Sequence, residues 1–283
     1  MNAIQEHRRR LHDQLRLHPR LLVAYSGGVD SAYLAWEAHH ILGDNMLAVL
    51  ADSPSLPRTH LADAITFAQQ HGIPLRIVNT LEMERPEYAR NDAQRCFHCK
   101  DELFRVIETI AAETGNAAIA YGRNVDDSAD FRPGQRAAAL HAAVAPLAEA
   151  GLGKVEVRAL AQSLSLSVWD KPASACLSSR VEYGRPVTVE ALRQVEASED
   201  HLHRLGFRQV RVRHHGELAR VEIERSELAQ ALSFDMLARI TVGVRAAGFT
   251  YVTLDTEGYR SGSMNFVLPV ASLLPQPAVP HGS

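Results

Sequence analysis

The sequence predicts an α/β fold: a parallel sheet layered by helices, followed by a small α+β domain. Three observations carry this. Short apolar runs without polar alternation recur between helical stretches as far as Asp170, as strands buried on both faces require. A Gly-Gly loop joins the first run to a helix, and such sheets bind ligands beyond the carboxyl ends of their strands. From Tyr183 the pattern changes to alternating strands and long amphipathic helices.

Met1 to Arg20 is polar and reads as an amphipathic first helix with Leu11, Leu15 and Leu17 inward and Arg8, Arg9 and Arg10 on a solvated face. Strands follow at 21–25, 46–51, 75–79 and 117–121, with a short fifth near Val168. Helices fill 32–42, 59–71 and 101–114, and another ends at 160–164. The second part has a helix over 188–205, a strand pair at 209–214 and 219–224, a helix over 228–247 and a last strand at 251–254. The expected domains are 1–182 and 183–268, with a disordered tail over 269–283 holding Pro269, Pro275, Pro277 and Pro280.

The 283 residues carry 30 basic and 33 acidic side chains, a formal charge of −3. That balance argues against a protein built to coat nucleic acid. Three cysteines, Cys96, Cys99 and Cys176, are too few and odd in number for a disulfide framework and suggest a reducing cytoplasm. No apolar run is long enough to span a bilayer, and the N-terminus has no secretory pattern, so neither a membrane nor a nucleic-acid partner is expected.

The segment Ala24-Tyr25-Ser26-Gly27-Gly28-Val29-Asp30-Ser31 joins strand to helix. Gly27 and Gly28 allow close backbone approach, the helix start offers free N–H groups, and Ser26 and Ser31 add hydroxyls. Asp30 suits magnesium beside phosphates. Two glycines alone fit a tight turn equally well; the whole string favours an anion cradle. It resembles the pyrophosphate-binding (PP) loop of the ATP pyrophosphatase superfamily, which implies ATP as co-substrate and an adenine nucleotide alpha-hydrolase-like fold.

A second segment, 169–180, sets Cys176 between Lys171 and Arg180 with Ser178 and Ser179 beside it. Cations nearby favour a reactive thiolate. The segment is similar to that of the LarE family of ATP-dependent sacrificial sulfur transferases. So are Arg95-Cys96-Phe97-His98-Cys99-Lys100, Gly122 to Asp127, Arg132-Pro133-Gly134, Pro146-Leu147, Glu149-Ala150-Gly151, Val210 to Gly216, Ala219 to Glu222 and Leu254 to Asn265. The resemblance implies adenylation of pyridinium-3,5-biscarboxylic acid mononucleotide, attack by Cys176, and Cβ–S cleavage that leaves dehydroalanine. It places the chain in nickel-pincer cofactor biosynthesis for lactate racemase, alongside the other assembly proteins, as a homo-oligomer, trimer or hexamer. Some relatives carry extra cysteines for an iron–sulfur cluster; with Cys176 solitary in its region, no cluster is expected. Cys96 and Cys99 read as two reduced thiols of a structural or substrate-side loop.

Arg211 and Arg213 lie two apart on a strand and share a face. With Ser179 and Arg180 they are expected to hold the substrate phosphate, and Arg220 is a further candidate. Asn124 is expected on adenine or ribose, and Asp126 and Asp127 on the nucleotide or its magnesium. Glu199 and Glu222 suit either a second metal or surface ion pairs. The rival readings are a PP-loop tRNA thiolase, an amide-forming synthetase, and a non-enzymatic nucleotide sensor. The −3 charge and the solitary Cys176 disfavour the two enzymes.

Overall fold

The computed structural model describes residues 3–115, 117–129, 133–172 and 175–260. Arg132, the segment 261–265 and the tail 269–283 lie outside the described residues. In chain order the strands are β1 Leu21–Tyr25, β2 Met46–Asp52, β3 Leu75–Asn79, β4 Ala118–Tyr121, β5 Val210–His215, β6 Leu218–Ile223 and β7 Tyr251–Leu254. The helices are α1 Ala3–Arg16, α2 Val29–Leu42, α3 Arg58–Gln70, α4 Pro86–Ala89, α5 Arg95–Glu113, α6 Pro133–Leu140, α7 Pro146–Glu149, α8 Lys154–Ser163, α9 Val189–Arg204, α10 Leu228–Ala231 and α11 Phe234–Ala246.

The chain divides into two compact units. The first holds the residues up to Glu82 and Cys96–Ala175; the second holds Met83–Arg95 and the chain from Cys176 onward. The sequence put that boundary at 182/183. Asn91 explains why 83–95 joins the later residues. Its amide donates to the carbonyls of Val181, Glu182 and Arg185 at 3.2, 2.8 and 2.9 Å, and its own carbonyl takes the N–H of Gly184 at 3.1 Å. Asn91 adopts φ +59°, a region that asparagine tolerates better than most residues.

In the first unit β1 pairs in parallel with β2 and β4, and β2 with β3, giving the order β3-β2-β1-β4. Successive strand residues face opposite layers. Leu21, Val23 and Tyr25 pack with α1, α2 and α8, while Leu22, Val49 and Ile119 pack with α5 and α6. This is the α/β fold the unalternating runs require. The order reverses at β1, so the loops after β1 and β4 flank the crevice where such sheets bind ligands.

Several expectations are corrected. Among the described residues no strand forms near Val168, which is buried in a turn. The Arg158 guanidinium takes the carbonyls of Trp169 and Lys171 at 2.7 and 2.6 Å, so they are not offered to a ladder. Leu17 is 68% exposed because α1 ends at Arg16. Arg8 is not on a solvated face: with His12 and Tyr33 it meets the fully buried Glu37, at 2.7, 2.8 and 2.7 Å.

In the second unit β5 and β6 are antiparallel, but β7 runs parallel to β6 because helices intervene between them. Val210, Val212, Ala219 and Val221 pack under Leu202, Ile240 and Val244. The single helix expected over 228–247 is two, because Ser233 accepts from the N–H of Met236 at 3.2 Å and caps a fresh start.

His141, just past α6, bonds Asp101 at 3.0 Å and Glu108 at 2.8 Å on α5. Burial pushes its imidazole down, but the two carboxylates outweigh that and hold it above its ordinary value. A raised histidine contributes stability fully below its unfolded value, about 6.5, and loses it as pH climbs through the folded one. The urea midpoint of the wild type should therefore fall between pH 6 and pH 9 relative to that of His141→Gln. Parallel midpoints would show the contacts contribute nothing.

Candidate functional site

The first constellation is the loop between β1 and α2. Gly27 has φ +70°, and a Cβ there would come 2.6 Å from that of Ala64 on α3. Gly28 is the N-cap of α2 and no side chain caps it, so the first-turn N–H groups face the loop. Ser31 braces the loop from within. Its Oγ donates to the Gly28 carbonyl at 3.1 Å, takes the Ser26 N–H at 3.1 Å, and lies 3.0 Å from Ser26 Oγ. Ser31 is thus committed to loop shape; with its one hydrogen on Gly28 O it accepts that of the exposed Ser26, whose hydroxyl must turn from Ser31 to donate to an anion. From β4, Gly122 presses on the helix start so closely that a Cβ would meet Ser31 N at 2.7 Å. The arrangement can hold a phosphate-like anion on backbone N–H groups.

Asp30 lies in the first turn of α2. Its Oδ2 is 2.5 Å from Lys154 Nζ, and its Oδ1 is buried with no hydrogen-bond partner. That orphaned oxygen suits a divalent cation. Lys154 begins α8, and its N–H bonds Asp126 Oδ2 at 2.7 Å, so Asp126 caps α8. Asn124 is buried, and its side-chain oxygen takes the N–H groups of Asp126 and Asp127 at 2.9 and 3.2 Å. That oxygen thus forms a turn. Sequence reading missed Lys154. The available signal was a lysine at a helix N-terminus, against the dipole, straight after Gly151-Leu152-Gly153.

Lys171 belongs to this same unit, its Nζ 3.1 Å from Asp63 Oδ2. Cys96 and Cys99 are in no disulfide and lie near the start of α5, the former exposed, so they sit on a helix rather than the expected loop.

The second constellation surrounds Cys176 in the other unit. Leu177–Arg180 is a tight helical turn whose carbonyls are held by buried guanidinium groups. Arg180 donates to Cys176 O at 2.9 Å, Arg95 to Ser178 O at 2.9 Å, and Arg213 to Ser179 O at 3.3 Å. Cys176 is half-buried, with Sγ 3.0 Å from Ser178 Oγ. When the sulfur is a thiolate the hydroxyl is the donor of that contact. Arg95 was not expected here. It opens the stretch Arg95 to Lys100, far from Cys176 in sequence, and only folding brings it to this turn.

Around this turn Arg180 grips Glu199 with two bonds, at 3.0 and 3.1 Å. Glu222 takes Arg213 at 2.7 Å and Arg220 at 3.1 Å, and Arg220 also approaches Asp255 at 3.6 Å. Glu199 and Glu222 are therefore buried guanidinium partners rather than a metal pair. Among the described residues no group of three or more His, Cys, Asp or Glu side chains is placed to hold a metal ion. Arg211 differs from its neighbours. It donates to Val210 O at 2.6 Å and lies 5.2 Å from the Tyr259 ring centroid, and no carboxylate hydrogen-bonds it among the described residues. Burial, then the charge of Arg180, pushes its guanidinium below the usual arginine range.

No protein-family model matches the chain. It is 45% identical over 249 residues to an uncharacterised protein of Synechocystis sp. (strain ATCC 27184 / PCC 6803 / Kazusa), covering 88% of this chain and 93% of that one. It is 37% identical over 256 residues to the pyridinium-3,5-bisthiocarboxylic acid mononucleotide synthase of Lactiplantibacillus plantarum, covering 90% and 92%. A Methanocaldococcus jannaschii protein of uncharacterised function is 27% identical over 242 residues, covering 86% of this chain and 91% of that one.

Proposed function

The chain belongs to the family of the pyridinium-3,5-bisthiocarboxylic acid mononucleotide synthases, and from that premise we propose an ATP-dependent sulfur transferase that gives up its own cysteine sulfur. The observation that carries the proposal is the Cys176 turn. Three arginines satisfy its carbonyls and a serine hydroxyl sits on its sulfur. A sulfur on a turn so held can serve as a nucleophile.

The proposed substrate is pyridinium-3,5-biscarboxylic acid mononucleotide. A ring carboxylate oxygen attacks the α-phosphorus of ATP and pyrophosphate leaves. Cys176 Sγ attacks the acyl carbon, the bond to AMP breaks, and a thioester forms. Removal of the Cys176 Cα proton sends its electron pair into a Cα–Cβ double bond. The Cβ–S bond breaks with its electrons on sulfur. The products are a thiocarboxylate on the nucleotide and dehydroalanine in the chain, with no external oxidant or reductant.

The chain's own groups divide the work. The backbone N–H groups after Gly28, with Ser26, bind the departing pyrophosphate. Asp30 would hold magnesium, which supplies charge neutralisation on the phosphates. Lys171 is assigned to the adenylated intermediate, and Arg211 with Ser179 to the substrate phosphate. The proposed setting is a reducing compartment and nickel-pincer cofactor assembly. No helix among the described residues is long and apolar enough to cross a membrane.

The proposal is tested by pyrophosphate release. The wild type should release it from ATP only when the biscarboxylated nucleotide is present. Gly27→Ala sets a β-carbon 2.6 Å from Ala64 at φ +70°. The left-handed conformation alone costs about 1–2 kcal/mol, so release should fall at least tenfold with the unfolding midpoint checked in parallel. Release from GTP as readily as from ATP, or without the nucleotide, would overturn the assignment.

A further inference from the structure

Lys154 stands at the anion loop without an assigned task. Its side chain is 35% exposed and that of Asp30 is 17% exposed, so the ammonium is within reach of whatever the loop takes up. The pairing is electrostatically odd. Asp30 is already favoured by the positive end of the α2 dipole, whereas Lys154 faces that positive end and is itself in the first turn of α8. The α2 N-terminus and an ammonium converge where one carboxylate oxygen is bonded and the other is orphaned, while the α8 start is already met by Asp126 and Glu156. A polyanion would satisfy this excess better than a single carboxylate does.

The backbone fixes where the side chain starts. The Lys154 N–H is held by Asp126 at 2.7 Å. A Cβ on Gly153 before it would meet Glu156 Oε2 at 2.8 Å and Asp126 Oδ2 at 3.1 Å and push those carboxylates aside. From that fixed start only a long, flexible side chain reaches the loop, and it can leave Asp30 without moving α8.

Resting on the reading that the loop takes the phosphates of ATP, we propose that Lys154 is a triphosphate-binding residue stored on Asp30. The incoming phosphates draw the ammonium away. The freed carboxylate, whose Oδ1 has no hydrogen-bond partner, then accepts a divalent cation. While the ammonium sits at 2.5 Å, a dication at the same carboxylate is repelled, so metal uptake waits for phosphate. Each charge keeps a partner before and after the exchange.

The test is calorimetric titration of the full chain with inorganic pyrophosphate and with Mn2+, separately and together. The wild type should take up Mn2+ tightly only when pyrophosphate is present. Lys154→Met should bind metal-free pyrophosphate at least tenfold more weakly and Mn2+ alone at least tenfold more tightly. Asp30→Asn should lose Mn2+ while binding metal-free pyrophosphate no worse than the wild type, because its lysine is already released. Lys154→Arg should stay close to the wild type for pyrophosphate, and Lys154→Gln repeats the test if methionine unsettles α8. If Lys154→Met and Lys154→Gln bind pyrophosphate like the wild type, or gain no affinity for Mn2+ alone, the exchange is wrong and the loop reading stands. If the wild type binds no pyrophosphate with or without Mn2+, both fall.

Discussion

Cys176→Ser should still release pyrophosphate from ATP in the presence of the biscarboxylated nucleotide, yet form no thiocarboxylate. A serine oxygen at that position can at most give an ester, and cleavage of its Cβ–O bond returns an oxygen carboxylate. The wild type under the same conditions should lose the mass of one hydrogen sulfide per chain. Peptide analysis should place dehydroalanine at 176, and product should stop at one sulfur per chain. Thiocarboxylate in many-fold excess over chains that keep their mass would show that sulfur comes from elsewhere. The surroundings of the thiol sharpen the expectation. The guanidinium of Arg180 lies on the carbonyl of Cys176 and on Glu199, so its positive charge is shared with a buried carboxylate. The closest partner of the sulfur is instead Ser178 Oγ at 3.0 Å.

Much of the first unit was legible because its signals are local. The strand starts at Leu21, Met46 and Leu75 follow from apolar runs whose neighbours are helices, and the Gly27-Gly28 turn announces itself by composition. What failed to read depends on partners far away in the chain. Arg8 looks solvated until Glu37 is placed against it, and Val168 looks like a strand until Arg158 takes the carbonyls of Trp169 and Lys171 just after it. Glu199 and Glu222 carry the residue type of a metal ligand, and only the fold shows that arginines occupy them. Asn91 gave no signal at all, since its partners lie some ninety residues on in the chain.

Arg211→Ala and Arg213→Ala should fail in opposite ways, although both arginines sit on one face of β5. Directly across from Arg213 on β6 is Arg220, a like-charge pair that would repel were Glu222 not bonded to both. Glu222 is fully buried, so removing Arg213 strips a buried carboxylate of its closest bond and should cost about 3–5 kcal/mol of stability. Of the four guanidinium groups Arg180, Arg211, Arg213 and Arg220, three bond or approach a carboxylate: Arg180 meets Glu199, Arg213 meets Glu222, and Arg220 meets Glu222 and Asp255. Arg211 is the member with no carboxylate hydrogen bond among the described residues, so it is the charge available to a substrate anion. Its loss should barely move the unfolding midpoint. It should raise the KM for the biscarboxylated nucleotide roughly ten- to hundredfold, as expected for about 1.5–3 kcal/mol of charge-assisted hydrogen bonding, and leave the KM for ATP alone. Denaturation curves and KM values for both variants decide the matter. If Arg211→Ala unfolds as readily as Arg213→Ala and binds the nucleotide normally, Arg211 is structural and the phosphate is held elsewhere. The opposite signatures would show that one face of a short strand carries both a structural arginine, fixed by a buried carboxylate, and a substrate-binding one that the fold leaves unneutralised.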